Sequence, residues 1–373
     1  MLRKLLLLAF IVCCTISVSS QQSQPDQKVV EAIEKQGESF LKNKEIRSLS
    51  LGVYYKGQMY IQHFGTLGPE QNYPPNDNSI YEIASVTKTM TAYLVANAVL
   101  DNRLNLETDI REYLPGEFPN LEYEGQPILV KHLLTHTAGL PHFLPEELDG
   151  IFERLTPEVP QEFEQVEVAV TKEDFFQSLK SIELKEKPGS GYYYSNAGSE
   201  LLGFILEEVY QGSLDELYEQ HLFTKAEMTD SAIEMNEDQL QRAVQGFWMN
   251  NENPSPYFAN TLWAAGAGVK STPADIMKYV RYLLEANDPV ITEMQKELYH
   301  DGRTRWLGYQ WNMWKDKYGT SFNHHGGSAG MQNWLYLFPD QELGISIFTN
   351  HSGPKTPGKL NKVVVKLLKA ILK

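Results

Sequence analysis

Ahead of a long apolar run, the chain carries the sequence Tyr81-Glu82-Ile83-Ala84-Ser85-Val86-Thr87-Lys88-Thr89-Met90-Thr91-Ala92. From Met90 to Leu100 nearly every residue is apolar or small, which predicts a helix buried on most sides. Ser85 would stand at the start of this helix, near its unpaired N–H groups and its positive dipole end. Lys88 follows on the same face, within reach of the Ser85 hydroxyl, as in serine nucleophiles that a lysine activates. An N-cap serine with a solvated lysine has the same spacing, so this pair alone does not define a site.

Length and composition indicate a globular protein. The chain has 373 residues, of which 42% are hydrophobic and 11% aromatic, which excludes a largely disordered chain. Its length suits one large domain or two interlocked domains.

The first residues resemble a secretion signal. Arg3 and Lys4 are followed by an apolar run from Leu5 to Val18 and by Ser19-Ser20. This pattern predicts a signal peptide over residues 1–20, and hence a bacterial periplasmic or secreted protein, with a retained anchor helix as the alternative.

The cysteines and the charge exclude several classes of function. Cys13 and Cys14 both lie in the predicted signal peptide, so the mature chain would have no disulfide and no cysteine nucleophile. A lipoprotein is less expected, because Val12 precedes Cys13 where a small residue would stand. Without Arg3 and Lys4 the formal net charge changes from −15 to −17. Nucleic-acid binding is not expected, because it needs clustered Lys and Arg.

The two ends of the chain predict a sheet flanked by helices. Residues 26–41 show one apolar helical stripe, and strands are predicted at 49–55 and 58–64. Further strands are predicted at 333–338 and 343–349, followed by a helix over 360–372. Lysines follow one face of this last helix, but packing on the sheet is favoured over a membrane-surface helix.

Two middle segments leave alternatives open. Residues 146–170 carry eight acidic side chains against one basic side chain, which predicts either a lid-like insertion or a solvated spacer. His132, His136 and His142 could suggest zinc, but no acid or third histidine shares the helical register of the first two. No metal and no organic cofactor is therefore expected.

Two more motifs lie far from Ser85 in the sequence. One is Tyr194-x-Asn196, and the other is His324-His325-Gly326-Gly327 ahead of a predicted strand. Tyr194 by itself would fit an ordinary core position better than a catalytic one. Taken together with Ser85-x-x-Lys88, these motifs resemble the serine β-lactamase-like hydrolase family. That family includes class C β-lactamases, DD-peptidases, D-aminopeptidases and esterases.

The resemblance extends over about residues 29–372. Supporting motifs of the family are matched in the same order by His132 to Leu140, Pro188-Gly189, and Ala265 to Gly268 with Ser271-Thr272. The resemblance implies an α/β (α+β) fold of the β-lactamase/transpeptidase type.

In that fold, residues 21–105 and 262–373 would form an antiparallel sheet flanked by the terminal helices. Residues 106–261, with the acidic insertion 146–170, would form a mainly helical domain, and the site would lie in the cleft between the two.

The resemblance also implies roles for individual residues. Ser85 would be the nucleophile, Lys88 its cationic neighbour, and Tyr194 a base whose pKa is lowered by nearby cations. Asn196 would hydrogen-bond Lys88 or the acyl group. The backbone N–H groups of Ser85 and Gly327 would form the oxyanion hole.

The third motif departs from the Lys-Thr-Gly of the family's β-lactamases. Both His324-x-Gly326 and His325-x-Gly327 fit it, and His324 is preferred because it keeps Gly330 and the next strand at the family's spacing. A histidine is mostly neutral near pH 7 and binds a carboxylate less well than lysine does. Esterases and some peptidases of the family carry histidine here, so efficient β-lactam hydrolysis is not expected.

We therefore expect an exported serine hydrolase that works through an acyl-enzyme on small ester, amide or peptide substrates. Esterase-like activity is favoured, followed by D-amino-acid peptidase or amidase activity and then by β-lactamase activity. A non-catalytic penicillin-binding-like protein is the alternative from another class. Membrane association beyond the signal peptide is not expected, and the oligomeric state cannot be read from the sequence.

Overall fold

The computed structural model describes residues 24–42, 44–151, 154–250, 252–258 and 260–373. The predicted signal peptide, residues 1–20, lies outside the described residues.

The centre of the fold is an eight-stranded antiparallel sheet. Its strands are β1 Ser48–Tyr55, β2 Gln58–Gly65, β3 Tyr299–His300, β4 Trp306–Leu307, β5 Asn312–Asp316, β6 Gly319–Gly327, β7 Gln332–Phe338 and β8 Leu343–Thr349. They are arranged in the order β2-β1-β8-β7-β6-β5-β4-β3, so the first hairpin of the chain adjoins the strand of this sheet that comes last in the sequence. The two ends of the chain therefore share one sheet.

The β1–β2 hairpin follows from its turn residues. Lys56 and Gly57 both have positive φ, of 48° and 84°, as the tight two-residue turn between twisted strands requires. Pairing of Tyr55 with Gln58 closes the hairpin.

The N-terminal helix Gln27–Phe40 and the C-terminal helix Thr356–Ile371 pack on one face of the sheet. The central helix, Thr87–Leu100, belongs to the core on the other face, where helix Pro273–Glu285 packs on β1 and β8. Twelve residues of the central helix are buried, which confirms the prediction of a helix buried on most sides.

The remaining α-helices, all of them between β2 and β3, complete the fold. They are Val130–Leu134, Val159–Glu167, Lys172–Ser181, Asn196–Tyr210, Leu214–Tyr218, Thr224–Ala226, Glu237–Arg242, Ala264–Ala267 and Pro289–Met294. Short strands lie at Tyr81–Glu82, Glu122–Tyr123, Gln126–Pro127, Gly246–Trp248, Pro254–Ser255, Lys270–Ser271 and His351–Ser352. Within the described ranges, no helix is both long and apolar enough to cross a membrane.

The acidic insertion 146–170 is not a solvated spacer. It contains the helix Val159–Glu167, in which Val159 and Phe163 are buried. Phe163 packs against Phe143 and Phe258, because an apolar side chain follows each helical turn despite the acidic composition. This segment is therefore part of the hydrophobic core.

Candidate active site

Ser85 lies in the 3₁₀ turn Ala84–Val86, immediately before the central helix. Ala84 has a φ of 44°, a conformation that non-glycine residues adopt rarely and that is often found at functional sites. Asn333 on β7 donates from its amide to the carbonyl of Ile83 at 3.1 Å, which ties this turn to the sheet. Ser85 is thereby held at the wall of a cavity.

Lys88 is fully buried one turn further along the chain. Its Nζ lies 3.2 Å from Ser85 Oγ, 2.6 Å from Asn196 Oδ1 and 2.7 Å from the Gly266 carbonyl oxygen. Asn196 Oδ1 and the Gly266 carbonyl oxygen can only accept hydrogen bonds. Two N–H groups are thus directed away from Ser85, and the remaining tetrahedral position of Nζ faces the serine hydroxyl.

Burial lowers the pKa of Lys88 to about 7, because the interior solvates an ammonium poorly. The Glu200 carboxyl opposes this shift. Glu200 is also buried, which raises its pKa to about 8, although it accepts hydrogen bonds from the backbone N–H groups of Ala265 and Gly266.

Tyr194 donates a hydrogen bond to Ser85 Oγ at 2.8 Å. Burial raises the pKa of this phenol above its ordinary value of 10. The expected lowering by nearby cations is therefore wrong. The Lys88 ammonium was the cation expected to lower the pKa of Tyr194, but it loses its own proton near pH 7. The cost of burying a phenolate therefore decides the direction of the shift in the pKa of Tyr194.

His136 contacts Tyr194, and His142 contacts Asn196. His136 Nδ1 accepts from the Ser195 N–H at 3.2 Å, and its ring lies 4.5 Å from the Tyr194 ring. His142 Nε2 lies 3.0 Å from Asn196 Nδ2. Burial and Lys88 lower the pKa of His142 to about 4, so its neutral ring can accept from that amide.

This contact orients Asn196 so that its oxygen faces Lys88. Sequence reasoning gave His136 and His142 no individual role beyond the rejected zinc site and missed this function. The available signal was the stretch 132–140, which resembles a motif of the family, contains His136 and ends two residues before His142.

His324 and His325 lie on opposite faces of β6 because side chains alternate along a strand. His324 is 3% exposed, and burial together with Lys88 lowers its pKa to about 3. His325 instead contacts Gln332 Oε1 at 2.5 Å and packs its ring 4.8 Å from Trp334. Both histidines line the cavity, but Lys88 influences the pKa of His324 and not that of His325.

Gly326 allows β6 to approach the turn that holds Ser85. A Cβ at this position would lie 2.1 Å from the carbonyl oxygen of Ile83, so a larger residue would force the strand and the turn apart. Gly327 follows it, is exposed, and lines the cavity.

The cavity beside Ser85 has a volume of about 450 Å³. Among the described residues that line it there is no Lys, Arg, Asp or Glu. Its titratable residues besides Tyr194 are His142, His324 and His325, and burial lowers the pKa of each ring. The side chains that line the cavity are therefore mostly uncharged at pH 7, although Lys88, which is about half protonated at that pH, contacts Ser85.

This constellation, between an antiparallel sheet and a helical layer, defines a class of serine hydrolases related to β-lactamases. The family model described as Beta-lactamase matches residues 30–369, and the chain belongs to this family. Both the resemblance and the predicted α/β fold are confirmed.

Among curated relatives, the D-alanyl-D-alanine-carboxypeptidase/endopeptidase AmpH of Escherichia coli strain K12 is 24% identical, with 94% of this chain and 92% of AmpH covered. A β-lactamase of Pseudomonas fluorescens is 24% identical over 85% of this chain and 84% of its own length. Among solved structures, a β-lactamase/D-alanine carboxypeptidase from Yersinia pestis, complexed with citrate, has a TM-score of 0.80 and 23% identity. That match covers 92% of this chain and 99% of the other.

Proposed function

We propose that this serine hydrolase forms an acyl-enzyme on Ser85 and acts preferentially on uncharged esters. The observation that carries the proposal is the position of Ser85 Oγ, 2.8 Å from Tyr194 Oη and 3.2 Å from Lys88 Nζ beside the cavity. The Ser85 hydroxyl thus contacts one group that can accept its proton, Lys88, and one that can donate a proton, Tyr194. This is the arrangement that a nucleophilic serine requires.

Lys88 is the better proton acceptor of the two neighbours. Because its pKa is about 7, a large share of the side chain is a neutral amine near neutral pH. Its two N–H groups then donate to Asn196 and Gly266, and its lone pair faces the Ser85 hydroxyl. Tyr194 keeps its proton, because its pKa is raised.

In the acylation step, Ser85 Oγ bonds to the substrate carbonyl carbon while its proton passes to Lys88 Nζ. The carbonyl oxygen becomes an oxyanion, for which the N–H groups of Ser85 and Gly327 are the proposed donors. When the oxyanion collapses, the bond to the leaving oxygen breaks. Tyr194 gives its proton to that oxygen and regains one from Lys88, which restores the starting protonation.

Deacylation reverses the same proton path. Water attacks the acyl carbon and loses a proton to Lys88, and Ser85 Oγ recovers a proton as the carboxylic acid departs. Asn196 and His142 hold the hydrogen-bond geometry of Lys88 in both steps.

Esters are preferred to substrates with a free carboxylate because the cavity lacks a fixed cation. His324 occupies the place of the family's lysine, and with a pKa of about 3 it is neutral at pH 7. A buried carboxylate without a partner would be strongly disfavoured. D-amino-acid peptidase or amidase activity is the second candidate, because relatives such as AmpH are named D-alanyl-D-alanine carboxypeptidases. β-Lactamase activity is third.

Two further assignments belong to this proposal. The apolar run after Arg3 and Lys4 supports export through a signal peptide over residues 1–20, and N-terminal sequencing of the exported protein would test it. The restriction of the large sheet to residues 48–65 and 299–349 supports a helical domain over 106–261 and an α/β domain over 21–105 and 262–373.

A fluorophosphonate probe followed by mass spectrometry tests the nucleophile. We expect one adduct on Ser85 that is absent from Ser85→Ala. The substrate class is tested with p-nitrophenyl esters, D-alanyl peptides and nitrocefin, of which the esters should be turned over with the highest kcat/KM. Absence of an adduct with intact ligand binding would instead support a binding protein that lacks catalysis.

A further inference from the structure

One side of the cavity beside Ser85 is built from large apolar side chains that come from separate segments of the chain. We call this surface the aromatic wall, which consists of Phe143, Leu155, Phe163, Trp248, Phe258 and Trp263. Two of these residues, Leu155 and Phe163, belong to the acidic insertion. A segment with a strongly polar composition thus contributes apolar surface to the site.

The rings of the aromatic wall pack on one another. The Phe143 ring lies 5.7 Å from that of Phe163 and 5.2 Å from that of Trp263, both edge to face. Phe163 makes a similar contact of 5.4 Å with Phe258. Four of the six side chains therefore form one continuous surface, as in pockets that bind apolar groups.

Buried carboxyl groups hold the wall relative to the nucleophile. Glu82, three residues before Ser85, accepts from the Phe258 N–H at 2.6 Å. Glu167, at the end of the Phe163 helix, accepts from the Asn260 N–H at 3.2 Å, and the Asn260 side chain donates back to the Glu167 carbonyl at 2.6 Å. These hydrogen bonds tie the backbone at Phe258 to the segment just before Ser85, and Asn260 to the end of the Phe163 helix.

The wall carries no ionised side chain. The described lining residues include no Lys, Arg, Asp or Glu, and the adjoining His142 is neutral at pH 7. Apolar contact is what this surface can provide.

We propose that the aromatic wall is the binding site for an uncharged, apolar acyl group, alkyl or aryl, of the ester substrate. This inference rests on the proposed ester hydrolysis at Ser85. The wall is assigned to the acyl group because that group stays bonded to Ser85 Oγ through both steps, whereas the alcohol leaves after the first.

The test is a series of p-nitrophenyl esters with a constant leaving group, from acetate through butanoate and hexanoate to octanoate. Each methylene that enters the wall should raise kcat/KM by about threefold to fourfold, until the chain outgrows the cavity. A matched series of alkyl acetates, in which only the alcohol lengthens, should show a much smaller dependence. A steeper dependence on the alcohol would overturn the assignment.

Variants locate the effect in the wall. Phe163→Ala should reduce the octanoate-to-acetate ratio of kcat/KM by at least tenfold. Phe118→Ala, which removes an equally buried ring that does not line the cavity, is the control and should preserve the ratio. Leu155→Asp changes a residue that is 43% exposed, so the protein should fold and the ratio should again fall. An unchanged ratio in both wall variants would refute the proposal.

A binding measurement separates this inference from the proposed chemistry. Octanamide and acetamide are titrated into Ser85→Ala, with tryptophan fluorescence as the readout because Trp248 and Trp263 belong to the wall. Tighter binding of octanamide, lost in Ser85→Ala/Leu155→Asp, supports the acyl site even if no ester is hydrolysed. Equal binding of both amides contradicts the acyl site even if Ser85 reacts with a fluorophosphonate.

Discussion

The phenol of Tyr194 donates a 2.8 Å hydrogen bond to the hydroxyl of Ser85, although 109 positions separate the two residues. Hydrogen bonds made by the residues on both sides of the tyrosine hold it there. The Tyr193 N–H donates to the His136 carbonyl at 2.7 Å, and the Ser195 hydroxyl donates to the Pro141 carbonyl at 2.6 Å while it caps the next helix. The loop that carries His136 therefore positions the tyrosine against the nucleophile.

Ester hydrolysis should depend on the protonation of Lys88. Below a pH of about 7 the side chain carries a proton and cannot accept another, so kcat/KM should fall about tenfold per pH unit. Above that pH the rate should reach a plateau. The measurement is the pH profile of kcat/KM with p-nitrophenyl butanoate. Lys88→Arg should be inactive over the whole range, because a guanidinium stays protonated.

Glu200→Gln separates the titration of Lys88 from that of its buried neighbour. Because its pKa is about 8, Glu200 is mostly uncharged near pH 7, so its replacement by glutamine should move the acidic limb of the profile only slightly, toward lower pH. The same profile, measured on the folded variant, gives the answer. A limb that vanishes in Glu200→Gln would show that Glu200, with its pKa of about 8, is the group that titrates.

Tyr194→Phe should lower turnover by about 10²- to 10⁴-fold, because the leaving group loses its proton donor. Thermal unfolding should change little, since the ring and its packing on His136 remain. The loss of turnover should be smaller with aryl esters than with alkyl esters, because a phenolate leaves more readily than an alkoxide without receiving a proton. A variant that hydrolyses alkyl esters at the wild-type rate would remove Tyr194 from the mechanism.

Replacement of the two adjacent histidines should have unequal effects. His324→Ala should reduce kcat/KM more than His325→Ala does, because His324 is the residue whose pKa Lys88 influences. The two variants are compared with the same ester at one pH, and their melting temperatures serve as the folding control. The reverse order would place His325 in the third motif.

Glu167→Gln should change the pH dependence of stability. Burial raises the pKa of Glu167 to about 7 from a reference of 4.5, so the folded state favours the protonated form. Wild-type stability should therefore fall relative to the glutamine variant as pH rises from about 4.5 to 7, by up to about 3 kcal/mol. Urea unfolding at several pH values measures this difference.

Glu173→Gln, at an exposed position in the next helix, is the control for this experiment. Its stability should follow the wild-type pH dependence. If the free energy of unfolding of Glu167→Gln depends on pH in the same way as that of the wild type, the carboxyl of Glu167 does not take up a proton when the protein folds.

Several elements were predictable because their causes are local. The strands and the two-residue turn at Lys56 and Gly57 follow from residue type and alternation, and the structure places them within one residue of the prediction. The Val159–Glu167 helix was missed because one proline and three glutamates make up four of its nine residues, whereas its burial depends on distant rings such as that of Phe258.

By itself the sequence determined the buried central helix, the spacing of Ser85 and Lys88 at its start, and the motifs that identify the family, because these depend on neighbours within a turn or a strand. Only the tertiary structure decided the proton chemistry. The pKa of Lys88 falls and that of Tyr194 rises because both are desolvated by segments far away in the chain. The aromatic wall likewise exists only after separate segments pack together around the cavity.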